Sequence, residues 1–192
     1  AKGIVPTVSG AIWGAKGRTF DGLDDVITVP HSATIDPGTG SFSVIVWAKL
    51  TDKTDYRRMI TKEAAGGNFQ GYAFFFETLT GKLECYIRDN STNTVDGLGS
   101  VDYSDSVFRM YAMTVIPGST TGLQAYVNGV VVTLSTNDLS TISATLSTTA
   151  DLFVGKFRDA SGYFKGVIGE ALVYKRALTA DEVYHLWEVS KW

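Results

Sequence analysis

The sequence predicts an all-β fold: two antiparallel sheets packed face to face, with one short C-terminal helix. Three observations predict it. Apolar residues recur with a period of two along most of the chain, the mark of half-buried strands. Glycine is abundant at 20 residues and proline scarce at 4, which suits many strands joined by tight turns. Helix signals gather in one place only, close to the C-terminus. The 192 residues suit a single domain spanning 1–192, and no linker or internal repeat divides them.

The elements follow in order. Phe42, Val44, Val46, Ala48 and Leu50 face one way, and Ser43, Ile45, Trp47 and Lys49 the other. Tyr72, Phe74 and Phe76 alternate with Ala73, Phe75 and Glu77, and Leu83, Cys85 and Ile87 with Glu84, Tyr86 and Arg88. Arg109 to Val115 is a further β-rich run. Leu123, Ala125 and Val127 lead into Asn128-Gly129 and then Val130 to Val132. Asn-Gly between apolar runs predicts a type I′ hairpin, because both residues accept positive φ. Ala64 to Asn68 reads as another hairpin turn. Leu152 to Lys156 and Phe164 to Tyr174 supply the last strands, with Val167, Ala171 and Val173 on one face and Phe164, Ile168, Leu172 and Tyr174 on the other. Thr179-Ala180-Asp181-Glu182 is a capping box, and Val183, Leu186 and Trp187 form one helical stripe. The segments 89–106 and 133–150, rich in Ser, Thr, Asn and Asp, read as long loops able to carry function.

Composition excludes several classes. The formal net charge is −3 from 17 basic and 20 acidic side chains. Neither sign clusters, so the basic stripe of a nucleic-acid binder is missing. One cysteine, Cys85, allows no intrachain disulfide. With two histidines besides, a zinc site of nitrogen and sulfur ligands is not expected. No stretch approaches the ~18 apolar residues of a membrane-spanning helix. Ala1 to Pro6 lack the charged and apolar regions of a signal peptide. A start without Met leads us to expect a processed chain or a piece of a longer polypeptide.

Several segments occur in an order that points to a family. Thr19 to Pro30 reads TFDGLDDVITVP, Phe42 to Leu50 reads FSVIVWAKL, and Met59-Ile60-Thr61-Lys62 precedes Gly71-Tyr72. Gly122 to Gly129 reads GLQAYVNG, Tyr163 to Glu170 reads YFKGVIGE, and Val173 to Thr179 reads VYKRALT. In this order, from about residue 10 to the end, they resemble the laminin-G-like, concanavalin-A-like jelly-roll family. The resemblance implies a jelly-roll sandwich in which Thr19 to Pro30 is the opening strand, adjacent to the closing one. It also implies a Ca²⁺ site between those strand ends. Asp21, Asp24, Asp25 and Glu170 are the residues that match, and hard carboxylate oxygens of this kind suit Ca²⁺. Polar turns in which Asp caps backbone amides are the alternative reading of that cluster. The chain departs from the family at Gly169, where relatives carry Asp, and at Phe108 to Thr114, FRMYAMT, where relatives carry a Trp-led strand.

Catalytic machinery is not visible. A glycosidase needs two carboxyl groups held across a groove, and the Glu-x-Asp-x-x-Glu string of glucanase relatives is absent. Tyr163-Phe164-Lys165 matches one segment of alginate-lyase relatives, but their Gln-x-His segment is missing. Cys85 sits on an apolar strand face and reads as a small buried hydrophobe, and His185 reads as solvent-facing. Glu84 shares a face with Tyr86 and Arg88 and is expected to form a surface ion pair with a neighbour.

For binding, Trp47, Tyr86 and Arg88 stand opposite the smoothest apolar stripes. Flat aromatics with a guanidinium are what sugar stacking and bidentate hydrogen bonding require. Packing is the alternative for Trp47, whose strand carries Trp throughout the family. Asn90-Ser91-Thr92 fits a glycosylation sequon, relevant in a eukaryotic secretory setting. The expectation is a non-catalytic recognition module, with glycans as the candidate ligand, on a surface, secreted or multidomain protein. A structural or accessory protein contacting neighbouring protein subunits, such as a virion decoration or fibre domain or an adhesin module, is the second reading, and a divergent polysaccharide lyase or hydrolase the third. Neither nucleic acid nor membrane insertion is expected.

Overall fold

The computed structural model describes residues 4–65, 69–159 and 161–190. Fourteen strands and one helix follow in order: β1 Thr7–Ser9, β2 Ile12–Gly14, β3 Gly17–Asp21, β4 Val26–Val29, β5 Phe42–Leu50, β6 Arg57–Glu63, β7 Gly71–Phe76, β8 Lys82–Arg88, β9 Thr94–Asp102, β10 Arg109–Val115, β11 Leu123–Val127, β12 Val130–Val132, β13 Leu152–Val154, β14 Lys165–Tyr174 and α1 Ala180–Ser190. They form two seven-stranded sheets. Sheet A runs β1-β4-β13-β6-β7-β8-β9 and sheet B runs β12-β11-β10-β5-β14-β3-β2. Every pairing is antiparallel. The architecture is the predicted jelly-roll sandwich.

The period-two pattern of β5 sets the layers. Phe42, Val44, Val46, Ala48 and Leu50 enter the main core between the sheets. Ile45 and Trp47 enter a second apolar layer on the outside of sheet B. There α1 lies across the sheet, with Leu178 and Val183 packed on Met110 and Ala112. The helix starts where the capping box predicts: the Thr179 amide donates to Glu182 Oε2 at 2.9 Å, and the Glu182 amide to Thr179 Oγ1 at 3.2 Å. Asn128 and Gly129 hold φ of 51° and 78°, as the type I′ turn of the β11–β12 hairpin requires.

The structure corrects three expectations. Thr19 to Pro30 is not one strand: β3 belongs to sheet B and β4 to sheet A, and the chain crosses between sheets at Gly22–Asp25. The expected adjacency of opening and closing strands holds for β3 beside β14, whereas β1 pairs with β4 in the other sheet. The segment 89–106 is not all loop, because β9 lies within it and forms one edge of sheet A. In β14, a register shift between Ile168 and Ala171 inserts a residue and inverts the alternation. Ile168 therefore shares the core face with Ala171 and Val173. The turn read at Ala64 to Asn68 lies partly outside the described residues.

The 133–150 segment is irregular yet anchored. Buried Asp89 accepts the amides of Ser143 and Ala144 at 3.3 and 3.2 Å. Buried Lys62 donates to the carbonyls of Thr148 and Ala150 at 3.2 and 2.7 Å. Leu139, Ile142 and Leu146 of this segment insert into the main core. Loop backbone is thus satisfied by side chains in place of a sheet ladder.

Candidate functional site

The outer face of sheet A is built differently from that of sheet B. Its inner residues, such as Phe74 and Cys85, fill the core, so strand alternation turns their neighbours outward. The register aligns those neighbours in rows. One row crosses the sheet through Phe153, Thr61, Ala73, Tyr86 and Asp96. The next runs through Arg58, Phe75, Glu84 and Leu98, and the third through Glu63, Gly71, Arg88 and Thr94. Tyr86 and Arg88 therefore share a surface with three carboxyl groups, Glu63, Glu84 and Asp96, and a second arginine.

A bulge in β6 makes this surface. The register shifts between Arg58 and Ile60, so that Arg58, and not Arg57, shares the outer face with Thr61 and Glu63. Arg57 is buried and satisfied: Nη1 donates to the Tyr163 carbonyl at 2.7 Å, and Nη2 pairs with Asp52. Arg58 lies outward, with its guanidinium 3.5 Å from the centroid of Phe75 and 4.7 Å from that of Phe157. The segment after β13 brings Phe157 and Arg158 over the sheet. Phe157 stacks on Phe69 with centroids 6.3 Å apart. Arg158 sits 3.9 Å from the Phe69 centroid and 5.0 Å from that of Phe157. Arg88 lies 5.7 Å from the Phe69 centroid.

Beneath this layer the carboxyl groups are deeply buried: Glu63 is 2% exposed and Glu84 8%. Burial pushes Glu63 up to about 7, against the opposing pull of Arg58 and Arg158. Burial first, then hydrogen bonding with and repulsion from Asp96, hold Glu84 well above the usual carboxylate range. Both are driven toward the neutral form because a buried charge without full compensation is costly. Glu84 is thus not the surface ion-pair member that the sequence suggested. One oxygen each of Glu63 and Glu84, the Thr61 hydroxyl, and Nε of Arg58 and of Arg88 have no hydrogen-bond partner. Such groups are uncommon in native interiors, and five of them gather on this one face.

The other predicted site residues lie elsewhere. Trp47 belongs to the outer face of sheet B, is 3% exposed and packs with Met110, Phe108 and Trp187. The structure therefore does not bring it together with Tyr86 and Arg88. Asp21, Asp24 and Asp25 do come together at the β3–β4 corner, with ligand oxygens within 4.8 Å of one another. Asp25 Oδ2 accepts the Asp21 amide at 2.8 Å, and Asp21 Oδ1 accepts that of Leu23 at 2.8 Å. Asp25 titrates above its ordinary value because of burial, opposed by the Asp21 amide and reinforced by the charges of Asp21 and Asp24. These three carboxylates are the residues that would hold a Ca²⁺ ion.

Glu170 is not among them. Lys165 is the residue of β14 opposite Asp21, and Glu170 lies further along, within the bulge between Ile168 and Ala171. The family's Asp has no room at position 169: a Cβ there would stand 2.9 Å from the Lys16 carbonyl oxygen and 3.0 Å from the Phe108 ring. His185 is exposed on α1, as expected, and Cys85 is buried.

Sequence reasoning missed Arg58, Glu63, Phe69, Phe157 and Arg158. The Arg57-Arg58 pair and the Phe157-Arg158 pair were visible as types. Nothing in their spacing gave the bulge or the fold-back that places them on one face.

The fold also has measurable relatives. The binding domain of Paraclostridial Mosquitocidal Protein 1 superposes with a TM-score of 0.71 at 15% identity, over 97% of this chain and 47% of that one. The botulinum neurotoxin serotype G binding domain gives 0.77 at 14% identity, over 97% and 46%. The botulinum neurotoxin serotype D ligand-binding domain, solved in complex with N-acetylneuraminic acid, gives 0.72 at 12% identity, over 97% and 46%. The chain thus spans about half the length of these structures, and at such identities the likeness establishes the fold. A search of curated protein sequences returned no match. At the level of sequence families, the model of the concanavalin A-like lectin/glucanases superfamily matches residues 20–184, and the chain belongs to that family.

Proposed function

We propose that the chain is a non-catalytic saccharide-recognition module that binds through the outer face of sheet A, around Tyr86 and Arg88. One observation carries this reading. Arginines and aromatic rings are laid side by side, with unpartnered polar atoms between them, on a face where sheet B instead carries an apolar helix. Aromatic faces take the apolar face of a sugar ring, and guanidiniums fork onto its oxygens. The toxin binding domains of the same fold, one with a bound sugar, lend it support. The test is a glycan array followed by calorimetry on the best ligand. Tyr86→Ala and Arg88→Gln should each weaken binding at least fivefold with an unchanged melting temperature, and no reducing ends should be released from polysaccharides. Wild-type affinity in both variants would overturn the placement, and turnover would overturn the non-catalytic reading.

A structural or accessory role has its own supporting observation. The edge strands of sheet B carry exposed apolar residues: Ile12 and Trp13 on β2, Val130 and Val131 on β12. Apolar edges invite a neighbouring chain. Silence on the array together with concentration-dependent assembly in sedimentation, reversed by Val131→Lys, would favour this second reading.

A further inference from the structure

Six of the seven arginines of this protein fall into two groups; the seventh, Arg18, lies apart on sheet B, where its Nη1 donates to the Ala11 carbonyl at 2.7 Å. Arg57, Arg109 and Arg176 each bridge a carboxylate: Asp52, Asp105 and Glu182. Arg58, Arg88 and Arg158 form no such bridge among the described residues, although Glu63 and Glu84 lie beside them on the sheet. They are held instead by rings: Arg58 by Phe75, Arg158 by Phe69 and Phe157, Arg88 beside Phe69. Among the described residues, the one side-chain hydrogen bond of these three arginines runs from Arg158 Nη1 to the Ala64 carbonyl, at 2.6 Å. Guanidiniums stay charged at any working pH. Half-buried guanidiniums without a carboxylate, with Nε of two of them unpartnered, form a site lacking its anion.

The neighbouring acids explain why no internal counter-ion closes it. Glu63 and Glu84 are drawn toward neutrality by burial, so they are weak partners for the cations above them. Asp96 and Asp159 are exposed at the margin. Glu77 accepts a hydrogen bond from the Thr80 hydroxyl at 2.6 Å. These three carboxylates offset the net charge of the region, so recognition here depends on guanidinium geometry and not on a long-range field. A planar anion that accepts paired N–H donors fits that geometry. The near-parallel rings of Phe69 and Phe157, 20° apart in plane, offer a flat wall beside it.

We infer that this face takes an acidic saccharide, its carboxylate or sulfate group held by Arg58, Arg88 and Arg158 and its ring laid against Phe69 and Phe157. This rests on the recognition reading above and names its ligand class. Carboxylate and sulfate share the chemistry that the three guanidiniums read, and the test separates them.

Calorimetry with the full chain would compare three probes: a hexuronic-acid trimer, a sulfated hexose trimer, and the neutral hexose trimer of the same linkage. At least one acidic trimer should bind tenfold or more tightly than the neutral one. Arg58→Gln, Arg88→Gln and Arg158→Gln should each reduce that affinity at least fivefold and leave the neutral trimer unaffected. Arg158→Lys keeps the charge but loses the planar fork, and should also weaken acidic binding. Arg18→Gln removes the guanidinium 4.3 Å from the exposed Trp13 ring, on the other sheet, and should change nothing. Melting curves would show that each variant is folded. Equal affinity for acidic and neutral trimers overturns the acidic preference while the recognition reading stands. Acidic binding that survives all three Gln variants overturns the assignment to this face. No binding by any trimer, alongside a silent array, overturns both.

Discussion

The two outer faces of the sandwich begin from the same strand alternation and end in opposite chemistry. On sheet B the outward residues Ile45 and Trp47 of β5 and Met110 and Ala112 of β10 are apolar, and Leu178 and α1, through Val183, cover them. On sheet A the outward residues include Arg58, Glu63, Glu84 and Arg88. They are overlain by arginine–aromatic stacks from the segment after β13. The first face gains stability by removing apolar area from water, at about 25 cal/mol per Å². The second holds buried polar atoms without partners, each costing roughly 1–3 kcal/mol. A domain that tolerates such a face while sealing the other is expected to use the costly one for binding.

The largest effect should come from breaking the sealed face. Val183 is fully buried between α1 and sheet B. Val183→Asp removes apolar contacts and places a charge among Ile45, Met110 and Ala112. A loss of about 3–5 kcal/mol is expected in urea unfolding. A loss below about 1 kcal/mol, within the range of ordinary surface substitutions, would show that α1 is not part of the sealing layer. Saccharide binding on the opposite sheet should survive wherever the variant remains folded.

The polar face should respond to pH in a way the sealed face cannot. Glu63 has its carboxyl raised from 4.5 to about 7. Between those values the folded chain binds more protons than the unfolded one, so stability falls as pH rises from about 4.5 to about 7 and is level above that. Glu84 is shifted the same way and extends the decline upward. Glu63→Gln removes the titration, so the variant should match the wild type near pH 4.5 and exceed it at pH 8, by at most about 3 kcal/mol. Thermal unfolding at both pH values checks this, and a variant less stable at pH 8 would refute it.

A smaller effect is expected from replacing one cation by a hydrophobe. Arg58→Met keeps the length that packs on Phe75 and removes an incompletely satisfied guanidinium. Swapping a buried polar partner for a well-packed apolar one is often neutral or stabilising. Stability should stay within about 1 kcal/mol while acidic-saccharide binding is lost. A loss above about 3 kcal/mol, the scale of breaking a buried pair, would mean that Arg58 is structural and the face is not free for a ligand.

The sequence made the sealed half legible and left the polar half largely hidden. On β5, both faces follow from alternation because the strand is regular from Phe42 to Leu50. The Asn128-Gly129 hairpin and the Thr179–Glu182 capping box are local devices, and each stands where the residues place it. The shifts at Arg58/Ile60 and Ile168/Ala171 are not local in this sense. One extra residue inverts the alternation, and no residue type announces it. β9 escaped because Thr94 to Asp102 carries Gly97 and Gly99 where a strand would show bulky side chains. At Gly97 a Cβ would meet the Leu123 side chain at 2.8 Å and the Thr136 carbonyl oxygen at 3.0 Å, so tertiary crowding overrides strand propensity. Tyr86 and Arg88 could be named from their alternation with Cys85 and Ile87. Their partners Phe157 and Arg158 arrive from a segment with no periodicity.

The corner that joins the two sheets tests the comparison from outside both faces. Gly22 to Asp25 carries the chain from β3 in sheet B to β4 in sheet A, so it belongs to neither face. Asp25 is buried there with its carboxyl raised by burial and by the charges of Asp21 and Asp24. A divalent cation among the three oxygens would relieve that repulsion, and carboxylate oxygens suit Ca²⁺. The closing strand adds no ligand, since Lys165 faces Asp21 and Glu170 lies further along, within the bulge. Affinity should therefore be modest, and calcium at about tenfold over its dissociation constant should stabilise by about 1.4 kcal/mol. The expected observation is a small rise in melting temperature with calcium, reversed by EDTA and absent in Asp24→Asn. Asp24 is the informative position, because neither the Asp21 nor the Leu23 amide bond uses it. Identical melting curves with calcium and with EDTA would leave the corner held by those two amide bonds alone. Asp25→Ala should then still cost about 1–3 kcal/mol, since it strands the Asp21 amide.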